Sequence, residues 1–146
     1  MFTLIKKNNL LVSKLNRFAH LIIKHSRILF IGWIIFITLL TLLPGQAIPN
    51  ISWDFISIDK TVHIVMFSTL VFIGLLGVQY NGFKLGRLPK LTIMLGAILY
   101  GYILELLQSY IPQRSYDFAD LAADSVGTLV GYGLFLGMTI ILSKTR

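Results

Sequence analysis

Five charged residues stand in the stretch ELLQSYIPQRSYDFADLAADSVG, residues 105–127, which joins two strongly apolar segments: Glu105, Arg114, Asp117, Asp120 and Asp124. Carboxylates in such a place could act as general acids or bases, or could bind a divalent cation through oxygen ligands. An arginine suits bidentate contacts with phosphate or carboxylate groups. The stretch therefore predicts a polar site, because charge near membrane segments is costly and usually functional.

A second polar group opens the preceding apolar segment, in the stretch DKTVHIVMF at residues 59–67. Asp59 and His63 are four residues apart, so they share a face if a helix starts this early. We predict His63 and Glu105 as candidate catalytic acid–base residues. The predicted ligand-binding residues are Asp59, Lys60, Gln108, Arg114, Asp117, Asp120 and Asp124.

The three aspartates of the first stretch are spaced i, i+3, i+7, which is one stripe of a helix. Three like charges on one stripe repel each other and require compensation. Lys60, His63, Arg114, a metal ion or a cationic ligand could supply it. A divalent cation is thus compatible with the pattern but is not required, and no cofactor is otherwise indicated.

Simpler structural roles are open for several of these residues. Asp59 and Asp117 could each be a helix N-cap. Glu105 could be an interhelical tie to Arg114 or His63 that only fixes packing. The chain has no cysteine, which excludes disulfides, thiolate metal sites and a cysteine nucleophile.

The elements that must position these residues are membrane helices. Of the 146 residues, 55% are hydrophobic and 13% are charged, and the mean hydropathy is +0.78. Four apolar segments lie at about residues 28–43, 62–80, 91–111 and 121–142, near the roughly 17–25 residues that a spanning helix needs. The predicted fold is therefore all-α, a bundle of four transmembrane helices.

The basic residues predict the orientation of this bundle. Eleven of the 13 lysines and arginines lie before the first segment, between the second and third, or after the fourth. The positive-inside rule then places both termini in the cytoplasm, in a multi-pass protein of the cell (inner) membrane. All six acids lie at or near the outer face. The net charge of +7 reflects topology and attraction to anionic lipids, so nucleic acid is not expected as a partner.

The N-terminal region differs from the rest of the chain. Residues 10–26 repeat apolar positions on one side and basic positions on the other, which predicts a cytoplasmic amphipathic helix on the membrane surface and not a secretory signal peptide. The domains are then an N-terminal segment 1–27, a membrane domain 28–142 and a cytoplasmic tail 143–146. The fourth segment also carries two GxxxG spacings, Gly127–Gly131 and Gly133–Gly137, which predict close helix packing.

Three stretches of the sequence resemble the VanZ-like family of small membrane proteins: LTLLPG at 40–45, DKTVHIVMF at 59–67, and the run from Glu105 to Gly127. The resemblance covers about residues 28–142. The polar signature of the family maps onto Asp59, Lys60, His63, Glu105, Gln108, Arg114, Asp120 and Gly127. Many members have Asn where this chain has Asp124. The resemblance implies an integral membrane protein of the cell envelope, with the namesake associated with resistance to the glycopeptide teicoplanin.

Two functions of different classes follow. In the first, an outward-facing polar pocket binds or modifies a lipid-linked or otherwise anionic envelope molecule and influences teicoplanin susceptibility. In the second, the protein is a non-catalytic accessory component whose polar network only holds the helices together. Membrane lipids are expected partners in both, and a homo-oligomer is compatible with both. Transport is disfavoured, because the inner halves of the segments lack the ionisable residues that a path across the membrane needs.

Overall fold

The computed structural model describes residue 21 and residues 24–44, 58–80 and 86–144. The described residues form four helices and no strand: α1 Lys24–Thr41, α2 Ile58–Tyr80, α3 Arg87–Gln108 and α4 Phe118–Lys144. Each helix is long and apolar enough to cross a membrane. This confirms the all-α, four-helix membrane bundle. The amphipathic helix predicted for residues 10–26 lies almost entirely outside the described residues.

The helix boundaries differ from the apolar segments by a few residues, mainly because the apolar segments exclude the charged residues at the helix ends. Helix α2 begins at Ile58 instead of residue 62, and α4 begins at Phe118 instead of residue 121. Asp59 and Asp120 therefore lie in the first turns of their helices, where a negative charge interacts favourably with the free N–H groups. Helix α3 ends at Gln108, three residues before the predicted end.

Helix α2 is the central helix of the bundle. In its apolar span 50% of the residues are buried inside the protein, against 17% for α1. Its apolar side chains Phe67, Leu70, Val71, Leu75 and Leu76 form the middle of the core. Helices α1, α3 and α4 each add side chains to this core, including Ile37, Ala97, Leu104 and Phe135. An arrangement around α2 explains why its sequence is apolar on nearly all sides.

Helices α2 and α4 run in the same direction and are in close contact along a glycine seam. A Cβ atom built on Gly127 would lie 2.6 Å from the Ile64 carbonyl oxygen, and one on Gly131 would collide with the Ser68 carbonyl. The first GxxxG spacing therefore permits the close approach that the sequence predicts. The second does not, since no atom of the described residues lies within 4 Å of a Cβ at Gly133 or Gly137.

Helix α1 lies on the periphery and is attached by polar side chains. The Trp33 indole donates from Nε1 to the carbonyl oxygen of Met66 in α2, at 2.9 Å. The Tyr100 hydroxyl of α3 donates to the Ile34 carbonyl at 3.0 Å and lies 2.8 Å from the Thr38 hydroxyl. These bonds fix α1 against α2 and α3, and thereby fix the position of its C-terminal end beside the polar residues of α3.

Candidate functional site

The polar residues gather at one end of the bundle, which we call the polar end. It contains the N-termini of α2 and α4, the C-termini of α1 and α3, and the loop of residues 109–117 between α3 and α4. All described acids lie there: Asp59, Glu105, Asp117, Asp120 and Asp124. The described basic residues of α1 and α3 lie towards the opposite end. The structure thus brings the residues predicted from two separate stretches to the same end.

Lys60 connects the start of α2 to the start of α4. Its ammonium lies 2.9 Å from Asp117 Oδ2 and 2.6 Å from Asp120 Oδ1, and donates a hydrogen bond to each. The Asp120 side chain is buried, whereas Asp117 and Lys60 are partly exposed. One cation therefore compensates two of the three aspartates in the predicted stripe.

Asp117 is both the N-cap of α4 and a partner of Lys60. Its Oδ1 accepts the Ala119 backbone N–H at 2.8 Å, while its Oδ2 faces the lysine. The bond from Lys60, followed by the Ala119 N–H, holds the pKa of the Asp117 carboxyl below its ordinary value. Asp117 is therefore a helix cap, as one of the two alternatives predicted, and its predicted role in ligand binding stays a prediction.

Asp59 does not precede its helix, so the N-cap prediction is wrong for this residue. It is the second residue of α2, and its carboxylate is about half exposed. The nearest cation is the Lys60 ammonium at 4.0 Å. Asp59 is therefore a first-turn charge at the rim of the polar end, open to solvent or headgroups.

His63 and Asp124 form a buried pair one turn further along α2 and α4. His63 Nδ1 lies 2.8 Å from Asp124 Oδ1, with side-chain exposures of 7% and 2%. Helix α3 leaves room for this pair at Gly101, where a Cβ atom would lie 2.5 Å from Asp124 Oδ2. Three helices therefore meet at the carboxylate of Asp124, and a glycine in α3 makes its position possible.

Glu105 is wholly buried at 0% exposure, and only one of its oxygens has a partner. Its Oε2 accepts the Asp117 backbone N–H at 3.2 Å, while Oε1 has none. The predicted tie to Arg114 or His63 is wrong, since no such pair occurs among the described residues. Glu105 instead binds the loop between α3 and α4 at the backbone N–H of Asp117. This N–H has no partner within α4, because it precedes the first turn of the helix.

Arg114 lies in that loop, directly after a tight turn. The Arg114 N–H donates to the Ile111 carbonyl at 3.0 Å, closing a turn with Pro112 and Gln113 in the middle. Gln113 has a φ of 62°, a left-handed conformation that a residue other than glycine adopts at a cost. The Arg114 side chain is partly buried, and its Nε is buried without a hydrogen-bond partner.

Gln108 has a role that its sequence position did not indicate. Its side-chain amide donates from Nε2 to the Thr41 carbonyl oxygen at 2.9 Å. Because Thr41 is the last residue of α1, this bond satisfies a free carbonyl at a helix C-terminus. Gln108 is buried and ties α1 to α3 at the polar end. Its predicted role in ligand binding stays a prediction.

Among the described residues, the polar end offers one candidate position for a divalent cation. One ligand atom each from Asp59, His63 and Asp120 lie within 4.8 Å of one another. Oxygen and imidazole ligands suit several divalent cations. The Lys60 ammonium, however, already lies 2.6 Å from Asp120 and provides the positive charge that a cation would bring. The three candidate ligands therefore already have a positive charge beside them, the Lys60 ammonium.

Two contributors to the site were missed at the sequence level, namely Gly101 and the Asp117 backbone N–H. Gly101 precedes Glu105 by four residues and therefore lies on the same face of α3. That spacing is a signal that could have marked Gly101 as the place where a neighbouring side chain enters. The loop N–H carries no sequence signal, because every residue except proline has one.

The fold and the site define a class: a multi-pass helical membrane protein with a polar cluster at one end of the bundle. The sequence profile of the VanZ/LLP1 family matches residues 10–142, nearly the whole chain. The protein belongs to the VanZ/LLP1 family, as the motifs in its sequence predicted. No curated protein and no solved structure matches the chain.

Proposed function

We propose that this VanZ/LLP1 protein binds the anionic headgroup of a lipid-linked envelope molecule at its polar end, and that Arg114 contacts the anion. The polar end faces outward in this proposal, with both termini in the cytoplasm. The observation that supports this most directly is the Arg114 guanidinium, whose buried Nε has no hydrogen-bond partner among the residues that the structure describes. A buried donor without a partner is costly, and a ligand that supplies an acceptor removes the cost.

The pairing of the other cations supports the choice of Arg114. Lys60 is engaged by Asp117 and Asp120, so its charge is already compensated. Arg114 makes no ion pair with any described acid, although all described acids lie at this end. A planar guanidinium with free donors matches the oxygens of a phosphate or carboxylate in a bidentate manner.

The position of the loop also favours a lipid headgroup as the anion. Residues 109–117 connect two helices at their membrane boundary, where headgroups lie. Tyr110, with 85% of its surface exposed, and Tyr116, also exposed, flank the turn. Exposed tyrosines at this level are typical of the aromatic belts of membrane proteins. This position supports a headgroup as the ligand, because the headgroup of a lipid-linked molecule lies between water and hydrocarbon.

The test compares Arg114→Gln with Arg87→Gln, which removes the same charge from an exposed residue at the opposite end. Each variant is purified and titrated with undecaprenyl phosphate, phosphatidylglycerol or phosphatidylcholine, and native mass spectrometry counts bound lipid. We expect Arg114→Gln to weaken binding of an anionic lipid by roughly 10- to 100-fold, the worth of a charge-assisted hydrogen bond. Arg87→Gln should retain it. Equal retention by both variants would contradict the proposal.

The same pair of variants tests the link to glycopeptides. In a host whose teicoplanin susceptibility depends on the wild-type chain, Arg114→Gln should restore susceptibility and Arg87→Gln should not. The minimal inhibitory concentration is the measurement, with membrane levels of each variant checked by immunoblot. A host response that is identical for both variants would leave lipid binding without a role in this phenotype.

A non-catalytic accessory function is the second candidate, favoured by the self-pairing of much of the cluster. Lys60 and His63 each bind acids of α4, and Gln108 binds α1, so these contacts stabilise the bundle by themselves. This candidate expects Glu105→Gln and His63→Ala to lower thermal stability and cellular effect together. The binding proposal expects Glu105→Gln to retain the fold while the cellular effect is lost.

A further inference from the structure

We infer that the buried His63–Asp124 pair is a proton-accepting dyad of the polar end, in which Asp124 is the positioning residue and His63 Nε2 is the atom that accepts the proton. The inference rests on the proposed function, since it assigns the chemistry available next to the bound headgroup. It changes the role of Asp124, which the sequence placed among the ligand-binding residues.

The hydrogen bond between the two residues defines the tautomer. His63 Nδ1 lies 2.8 Å from Asp124 Oδ1, and an ionised carboxylate only accepts hydrogen bonds. The ring proton is therefore on Nδ1, which leaves the lone pair of the neutral ring on Nε2. No described residue makes a hydrogen bond with Nε2. A base in this state has one nitrogen held by the protein and the other with its lone pair free to accept a proton. The carboxylates of Asp59 and Asp120 also face the ring, with ligand atoms of the three residues within 4.8 Å of one another.

The packing of three helices makes this geometry rigid. Gly127 brings the backbone of α4 against Ile64, the residue after His63, and so sets the register of α2 and α4. Gly101 in α3 leaves the space that the Asp124 carboxylate occupies. A carboxylate that orients an imidazole and stabilises its charged form is the arrangement that general-base catalysis requires.

The proton transfer is balanced within the site. When a water molecule or a ligand hydroxyl donates its proton to Nε2, the O–H bond breaks and an N–H bond forms. The ring then carries a positive charge, which the Asp124 carboxylate compensates at hydrogen-bond distance. The oxygen that is left carries the negative charge, and Arg114 lies at the same end of the bundle to interact with it.

The test is nitrogen NMR of the full chain, with labelled histidine, in nanodiscs of phosphatidylcholine with or without phosphatidylglycerol. The chain has three histidines, and His63→Gln identifies the His63 signals by their loss. At alkaline pH, where the ring is neutral, we expect the proton on Nδ1 and an unprotonated Nε2. Only the Nε2 resonance should move when the anionic lipid is present, a response that a purely structural histidine would not give.

Substitutions at two neighbouring acids provide the controls. Asp124→Ala should give a mixture of the two tautomers, while Asp124→Asn, which retains an acceptor oxygen, should restore the proton to Nδ1. Asp120 binds Lys60 and not the ring, so in Asp120→Asn the His63 proton should stay on Nδ1. The loss of charge within 4.8 Å of a His63 ring nitrogen should shift the resonances without changing the tautomer. If Asp124→Ala does not fold, Asp124→Asn and the wild type still decide the outcome.

Two results would overturn the dyad. The first is a proton on Nε2 in the neutral wild-type protein, and the second is an Nε2 resonance that does not respond to the anionic lipid. Failure of the proposed function gives a different pattern, in which Arg114→Gln and Arg87→Gln bind lipid equally. Arg114→Gln should leave the His63 tautomer as it is, so the two failures are distinguishable.

Discussion

The polar end contains two groups of residues that differ in how their charges are compensated. The paired group consists of Lys60, His63, Asp117, Asp120 and Asp124, which bind one another across α2 and α4. The unpaired group consists of Glu105 and Arg114, each with a buried polar atom that has no partner. Both groups lie at the same end and carry similar kinds of charge. Position in the membrane therefore does not explain the difference.

The comparison separates stability from function at this end of the bundle. Buried polar groups that bind one another add to the contacts between α2 and α4, and removal of one partner is costly. Buried atoms without partners in the protein reduce stability, and a ligand that supplies a hydrogen-bond partner would remove that cost. We therefore propose ligand binding at the unpaired group, with the paired group as the structural support for it.

The largest effect should come from breaking the buried pair in the paired group. We expect His63→Phe to lower the free energy of unfolding by about 3–5 kcal/mol, because it leaves Asp124 buried without a partner. The double variant His63→Phe, Asp124→Leu should recover most of this loss. Thermal or denaturant unfolding in detergent measures both, and a double variant no more stable than the single one would contradict the pairing argument.

The glycine seam gives the next largest effect, since it sets the register on which the paired group depends. Gly127→Ala should cost about 1–3 kcal/mol, because the new Cβ would lie 2.6 Å from the Ile64 carbonyl oxygen. Gly133→Ala is the matched control, because no described residue lies within 4 Å of its Cβ, and it should cause no loss. Equal melting temperatures for the two variants would show that the seam does not set the register.

A substitution of Glu105 should change stability in the opposite direction. We expect Glu105→Gln to raise stability, by up to about 1 kcal/mol, because it keeps an acceptor for the Asp117 N–H and removes a buried carboxylate with an unpartnered oxygen. A shift of the melting temperature measures the gain. A marked loss of stability would instead assign Glu105 to the paired group.

The pH dependence of stability should reveal Asp117, with a smaller effect. Its pKa is lower in the folded protein, so its contribution is fully present above the unfolded pKa of about 3.9 and is lost as the pH falls through the folded value. Asp117→Asn keeps the helix cap but removes the ion pair. We therefore expect its melting temperature to fall less steeply than that of the wild type below about pH 4.

Arg114 should have the smallest effect on stability and the largest on binding. Since its side chain has no ion pair with a described acid, Arg114→Gln should change the free energy of unfolding by less than about 0.5 kcal/mol. Unfolding in lipid-free detergent is the measurement. A large loss of stability would move Arg114 into the paired group and weaken the argument for a ligand.

Much of the fold could be predicted from the sequence, because long apolar segments bounded by charge and proline have few alternatives in a membrane. The errors were at the ends of helices: the apolar segments started a few residues late, whereas Asp59 and Asp120 lie in the first turns of their helices. An apolar segment ends at the first charged residue, whereas a helix can include charged residues in its first turn when these form hydrogen bonds or ion pairs. The polar end was likewise predictable, since costly charges are placed together for a reason.

The partners within the polar end could not be predicted in the same way. The sequence left open whether Lys60, His63, Arg114 or a cation compensates the aspartates, and it offered Arg114 or His63 as a partner for Glu105. The structure pairs Lys60 and His63 with α4 and gives Glu105 a backbone N–H. Charge and spacing cannot distinguish these options, because the choice depends on angstrom-scale distances between helices.

By itself, the sequence determined the class of the protein, the four helices, the family and the residues that gather at one end, because hydrophobic length and the cost of buried charge act locally along the chain. Only the tertiary structure decided which of those residues satisfy one another and which do not. The pairing depends on helix register, which is set by the contact of Gly127 with Ile64 and by the space that Gly101 leaves beside Asp124. Pairing over about 3 Å depends on packing between segments distant in the sequence.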